Sequence, residues 1–105
     1  MSDTLTRLDA VIRARHGADP SASYVAGLLA AGRPKIARKL GEEAVETIVA
    51  ALAGDRAQLT GEAADLIFHL LVLLAAADLP LAEVLAELDR RDGVSGIAEK
   101  AGRRG

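Results

Sequence analysis

Residues 61–75 read GEAADLIFHLLVLLA, an almost unbroken apolar run that fixes the fold class. At 100° per residue, Leu66, Ile67, Phe68, Leu70, Leu71, Leu73 and Leu74 point in nearly every direction around a helix. A helix that is apolar all round is a buried one. Beyond its first turn the polar strip is Glu62, Asp65 and His69, at i, i+3 and i+7 on one side. Carboxylates on a buried helix have to be paired, protonated or bound to a cation, because an unpaired buried charge is costly.

Working outward, Asp55 caps this helix with Gln58 three residues on, and the helix is expected over Arg56–Ala77. Gly54 stops the helix before it, which runs over Lys35–Ala53 with Pro34 near its first position. That earlier helix divides into two faces. Ile36, Leu40, Ala44, Ile48, Ala51 and Leu52 make a broad apolar face, expected to turn inward. Lys35, Lys39, Glu42, Glu43 and Glu46 lie opposite. Lys39 can pair with Glu42 or Glu43, which suits a solvated surface, yet Glu46 is a like charge one turn from both.

Three further helices are expected. Asp3–Arg15 carries Leu5, Leu8, Val11 and Ile12 at helical spacing, with Ser2 or Asp3 as cap. Tyr24–Ala31 is capped by Ser21 or Ser23 and ended by Gly32. Leu81–Arg91 follows the break at Asp78-Leu79-Pro80, and Asp92-Gly93 ends it. With 22 Ala, 16 Leu and two aromatics in 105 residues, composition excludes an all-β fold. The expectation is a single all-α domain over 1–105, a four- to five-helix bundle with a polar tail at 92–105.

Composition also prunes functions. Without cysteine there is no disulfide framework, thiolate zinc site or cysteine nucleophile. A net charge of −2 gives no basic field for nucleic acid. No secretory signal pattern opens the chain, and the apolar run Leu70–Ala77 is short of a bilayer span, so a cytoplasmic protein with no membrane partner is expected.

The short connector at Gly54-Asp55 makes the two central helices an antiparallel hairpin. Glu46, eight residues before Gly54, and Asp65, ten after Asp55, then lie at similar heights. Glu42, Glu43, Glu46, Glu62 and Asp65 can converge on one pocket. An all-oxygen ligand set suits a hard divalent cation, Mg²⁺ first and Mn²⁺ as an alternative. Lys35, Arg38 and Lys39, with Arg33 upstream, supply charge for phosphate oxygens. Acidic and basic clusters side by side point to metal-assisted phosphoanhydride chemistry.

The pattern EE-x2-E (Glu42, Glu43, Glu46) followed by E-x2-D (Glu62, Asp65) resembles the all-α nucleotide pyrophosphohydrolases of the MazG-like superfamily. The stretches SYVAGLLAAGRPKIARKLGEEAVETIVAAL, GEAADLIFHLLVLLA and LAELDRRDGVSGIAEKAGRR are similar to the phosphoribosyl-ATP pyrophosphohydrolases of histidine biosynthesis, over about Leu5–Arg104. The resemblance implies a homodimeric, Mg²⁺-dependent helical bundle that cleaves the α–β phosphoanhydride of phosphoribosyl-ATP. The products are phosphoribosyl-AMP and pyrophosphate. It implies Glu42, Glu43, Glu46, Glu62 and Asp65 as metal ligands or their close partners. Many bacterial relatives are fused to a cyclohydrolase domain, and a one-domain chain without cysteine looks like the stand-alone form.

In the expected mechanism Glu43 or Glu46 orients the attacking water, and Lys35 and Lys39 offset charge on the leaving group. Tyr24 is read either as a stacking partner for adenine or ribose or as packing. His69 is read as a hydrogen-bond partner of Asp65, a substrate contact, or a satisfied polar residue. Lys100, with Ser95, Gly96, Glu99 and Arg103, belongs to a tail that either frays or folds over substrate. A core helix too apolar for one small monomer to cover calls for a homodimer. Two other functions fit less well: a house-cleaning (d)NTP pyrophosphatase of the same fold, and a non-catalytic helical dimerisation module.

Overall fold

The punctuation of the sequence places the helices. In the computed structural model, which describes residues 2–92, α1 spans Ser2–Arg13, α2 Tyr24–Ala31, α3 Arg33–Ala53, α4 Arg56–Ala76 and α5 Leu81–Arg91. The described residues contain no strand, so the all-α expectation holds. The tail residues Ser95, Gly96, Glu99, Lys100 and Arg103 lie outside the described residues.

Ser23 caps α2, its side chain accepting from the Ala26 N–H at 3.2 Å. Asp55 caps α4 by accepting from the Gln58 N–H at 2.9 Å. Gly32, at φ 99° and ψ 171°, is both the C-cap of α2 and the N-cap of α3. That backbone region is essentially reserved for glycine. Gly54 closes α3 in the left-handed conformation, φ 77° and ψ 14°. α1 is helical from Ser2, with Asp3 in its first turn.

α3 and α4 form the antiparallel hairpin that dominates the packing, with α1 and α2 laid against it. Ile12, Leu28, Ile36, Leu71, Val72, Ala75 and Leu81 form the core, one or more from each helix. Arg13, paired with Asp9 at 3.0 Å, also donates to the Leu79 carbonyl and pins α1 to the α4–α5 turn.

The inward face of α3 differs from the expected one. Ile36, Glu43 and Ala50, at steps of seven, are its buried residues. Ile48 and Leu52, assigned to the inner face by the wheel, are 58% and 84% exposed, and Ala51 is exposed too. Helical periodicity separates apolar from charged faces; it does not say which face meets the neighbour within the same chain. Here the acidic face near Glu43 turns toward α4, and the stripe Val45, Ile48, Val49 and Leu52 points out. α4 is likewise buried in its second half, at His69, Leu71, Val72 and Ala75, while Ile67 and Leu70 stay over 40% exposed. By length and composition alone α4 could cross a membrane; in this fold it is the helix that carries the core and the polar strip together.

Candidate active site

The hairpin register assembles the acidic groups. Gly54 is the symmetry point: Glu46 and Glu62 lie eight residues either side of it, Glu43 and Asp65 eleven, and the fully buried Ile36 and Val72 eighteen. Equal distances from a tight turn give equal heights on antiparallel helices. Carboxylate oxygens of Glu43, Glu62 and Asp65 all lie within 4.8 Å of one another. Glu46 faces Glu62 across the same seam, close enough to hydrogen-bond it. Spacing from the turn suggests Glu46 level with Asp65; in the structure Glu46 faces Glu62, and Glu43 clusters with Asp65.

The electrostatics of this cluster are strained. The charge on Glu62 pushes the Glu46 carboxyl above its ordinary range, helped by partial desolvation, a shared hydrogen bond with Glu62 and the charge of Glu42, while Lys39 pulls it down. Glu43 is only 9% exposed, and its Oε1 is buried with no hydrogen-bond partner among the described residues. A buried acceptor without a donor is expensive. Three oxygens of different residues inside 4.8 Å can share one cation, since Mg²⁺–O and Ca²⁺–O bonds of about 2.1–2.5 Å put ligands up to roughly 4–5 Å apart. The donor set therefore fits a hard divalent cation. Glu42 sits outside this trio, on the solvent side, with Lys39 Nζ 3.5 Å from its Oε1.

Beside the acids lies a cleft of about 500 Å³, lined by Ser21, Ser23, Tyr24, Lys35 and Lys39 among others. Lys39 joins the two regions, lining the cleft while it meets Glu42 and acts on Glu46. Arg38 is exposed and does not line the cleft. Lys100 lies outside the described residues. The cleft wall at Ser21 and Ser23 went unnoticed in the sequence, where this segment reads as a connector. Its signal was the run of capping residues before Tyr24: Asp19 accepts from the Ser21 N–H at 3.0 Å and from its hydroxyl at 2.9 Å, which holds the Asp19 carboxyl below its usual range.

His69 is 5% exposed and fully engaged. Its Nδ1 donates to the Asp65 backbone carbonyl at 2.8 Å, not to the Asp65 carboxylate. A carbonyl only accepts, so Nδ1 carries the proton, and in the neutral imidazole Nε2 then accepts the Tyr24 hydroxyl at 2.8 Å. Tyr24 also lies beside Phe68, ring centroids 6.3 Å apart and planes 19° from parallel.

Fold and site together define a helical protein with a carboxylate cluster on a central hairpin and a lysine-lined cleft beside it. The chain belongs to the phosphoribosyl-ATP pyrophosphohydrolase family, whose sequence pattern matches residues 5–92. It is similar to the phosphoribosyl-ATP pyrophosphatase of Rhizorhabdus wittichii, 68% identical over 103 residues covering 98% of this chain and 97% of that one. The Novosphingobium aromaticivorans protein of the same name is 67% identical over 96% of this chain and 94% of its own length. That of Dinoroseobacter shibae is 65% identical over 94% and 97%.

Proposed function

We infer that this chain is an enzyme of histidine biosynthesis that hydrolyses the α–β phosphoanhydride of phosphoribosyl-ATP to phosphoribosyl-AMP and pyrophosphate. Family membership supports the reaction, and the near-complete coverage of relatives bearing that name supports the substrate. The observation that carries the chemistry is the unpartnered, buried Glu43 oxygen inside a trio of carboxylates. Such a trio, with one member buried and lacking a donor, is poorly satisfied by the protein alone and well satisfied by a cation.

Glu43, Glu62 and Asp65 would hold the divalent cation, Mg²⁺ by preference and Mn²⁺ by the same donors, with Glu46 and Glu42 at its edge. When bound, the cation polarises phosphoryl oxygens and makes water more acidic. Water adds to the α phosphorus, the P–O bond from that phosphorus to the bridging oxygen breaks, and pyrophosphate leaves with the bridging oxygen and the bond's electron pair. Glu46 orients the water and accepts its proton; the facing charge of Glu62 raises its proton affinity above that of an ordinary carboxylate. Lys35 and Lys39, on one side of α3, offset charge on the departing pyrophosphate. Arg38, exposed one residue before Lys39, assists from outside the cleft, and Lys100 contributes from the tail. The working unit is a cytoplasmic homodimer of this single all-α domain, formed through the exposed stripe of α3.

The test is pyrophosphate release from phosphoribosyl-ATP and from a panel of NTPs and dNTPs, each with Mg²⁺ and with EDTA. Metal-dependent release confined to phosphoribosyl-ATP is the expected outcome. Release from dNTPs instead keeps the acidic site and replaces the substrate with a house-cleaning one. No release from any of them overturns the catalytic reading.

A further inference from the structure

A chain of two hydrogen bonds runs from the acidic trio to the cleft. The Asp65 carbonyl, on the same residue that offers a carboxylate oxygen to the trio, takes the His69 Nδ1–H, and His69 Nε2 takes the Tyr24 hydroxyl proton. The His69 ring meets both Tyr24 and Phe68 edge to face, with centroids 5.9 and 5.2 Å away and interplanar angles of 84° and 87°. Tyr24 is thus held at its hydroxyl and along its ring, yet remains 56% exposed at the wall of the cleft. Holding an exposed ring this firmly costs side-chain freedom and gains little burial.

What Tyr24 can offer outward follows from where its proton goes. The hydroxyl hydrogen is committed inward to His69, and His69 has no ring nitrogen left for the cleft. Lys35 and Lys39 already supply cationic donors for phosphates. What the phenol still offers the cleft is an acceptor oxygen and a π-face; neither suits a phosphate, and the broad exposed face takes a flat heterocycle. We propose that Tyr24 is the stacking platform for the adenine base, and that His69 is a positioning residue that fixes the platform without touching substrate. This rests on the reading of the chain as a phosphoribosyl-ATP hydrolase. One turn of α4, from Asp65 to His69, then sets the spacing between the phosphate-cleaving groups and the base.

The chain has one tyrosine and no tryptophan, so intrinsic emission reports the Tyr24 ring alone. Wild-type protein in Mg²⁺ is titrated with AMP and, separately, with pyrophosphate, exciting at the red edge where adenine absorbs little. AMP is expected to quench and pyrophosphate to leave the emission unchanged. By equilibrium dialysis, Tyr24→Leu should weaken AMP about tenfold with pyrophosphate binding unaltered. Tyr24→Phe and His69→Phe, which each remove the hydrogen bond, should weaken AMP severalfold. His69→Gln, whose Oε1 can accept the phenolic hydrogen, should restore most of it. In turnover the loss should fall on KM for phosphoribosyl-ATP rather than on kcat. AMP affinity unchanged in Tyr24→Leu overturns the platform, and parallel losses of AMP and pyrophosphate overturn the division of labour. Should wild type bind AMP with quenching but fail to cleave phosphoribosyl-ATP, the platform stands and the activity reading falls. Tyr24→Phe, at an exposed ring, keeps the test open if a His69 variant fails to fold.

Discussion

Glu46 is where the chemistry and the stability of the apo protein pull in opposite directions. Its carboxyl takes up a proton at higher pH in the folded chain than in the unfolded one, chiefly because Glu62 faces it. Between those two pKa values the folded state binds more protons, so stability falls as pH rises through that window and recovers on mild acidification. Glu46→Gln should therefore raise the melting temperature of the metal-free protein near neutral pH, read by helical CD. The same substitution should abolish turnover if Glu46 is the base, with helicity intact; retained activity would remove Glu46 from the mechanism. Glu43→Gln should weaken Mn²⁺ binding by calorimetry at least tenfold if the trio is the cation site, because it takes the charge from the most buried of the three clustered carboxylates. At this scale the sequence was informative about the acids, because spacing of three and four on two helices and one tight turn suffices to put them together. It offered Asp65, one turn away, as a partner of His69, though through the carboxylate and not the backbone carbonyl, and it was blind to the Tyr24 hydroxyl. That contact depends on where α2 sits, and no periodicity carries that information.

At the scale of elements, the boundaries of α2 and α5 were legible from the sequence because glycine, proline and capping side chains mark them. The register of the α3–α4 hairpin follows from Gly54 adopting φ 77°. Gly54→Ala should cost about 1–2 kcal/mol in a denaturant melt, since Ala pays for a left-handed backbone that glycine adopts freely. Asp55→Ala, which removes the cap of α4, should cost about 1 kcal/mol. α5 is fastened differently. Glu87 accepts from Arg90 at 2.7 Å and from Arg91 at 2.9 Å, and those bonds lower its pKa to about 2. A lowered carboxylate contributes above its unfolded value near 4.5 and loses that contribution as pH falls toward about 2. Glu87→Gln should accelerate amide exchange in α5 at neutral pH, and the difference from wild type should vanish near pH 2. Equal exchange at neutral pH would mean that the Arg pairs are too solvent-screened to matter.

The molecule as a whole has an apolar surface that its own helices do not cover. Its radius of gyration is 15.8 Å, against about 13 Å for a compact domain of 100 residues, and it measures 47 × 34 × 27 Å. Val45, Ile48, Val49 and Leu52, spaced i, i+3, i+4 and i+7, are 58–84% exposed along α3, and Ile67 and Leu70 extend the apolar surface onto α4. The sequence pattern marked Ile48 and Leu52 as apolar-face residues but could not say that this face turns away from the chain's own core. Inside the chain, burying Glu43 turned that face outward. A stripe at this spacing suits a second copy of itself in an isologous helix pairing. Wild-type chain should sediment as a dimer at micromolar concentration, with a melting temperature that rises with protein concentration. The double substitution Ile48→Glu and Leu52→Glu should produce a monomer, because both residues are solvent-exposed in the single chain and lose burial only in the dimer. Its melting temperature should no longer depend on concentration. A wild-type monomer across that range, or a double variant that still dimerises, would place the contact elsewhere and leave the exposed stripe of α3 without this role.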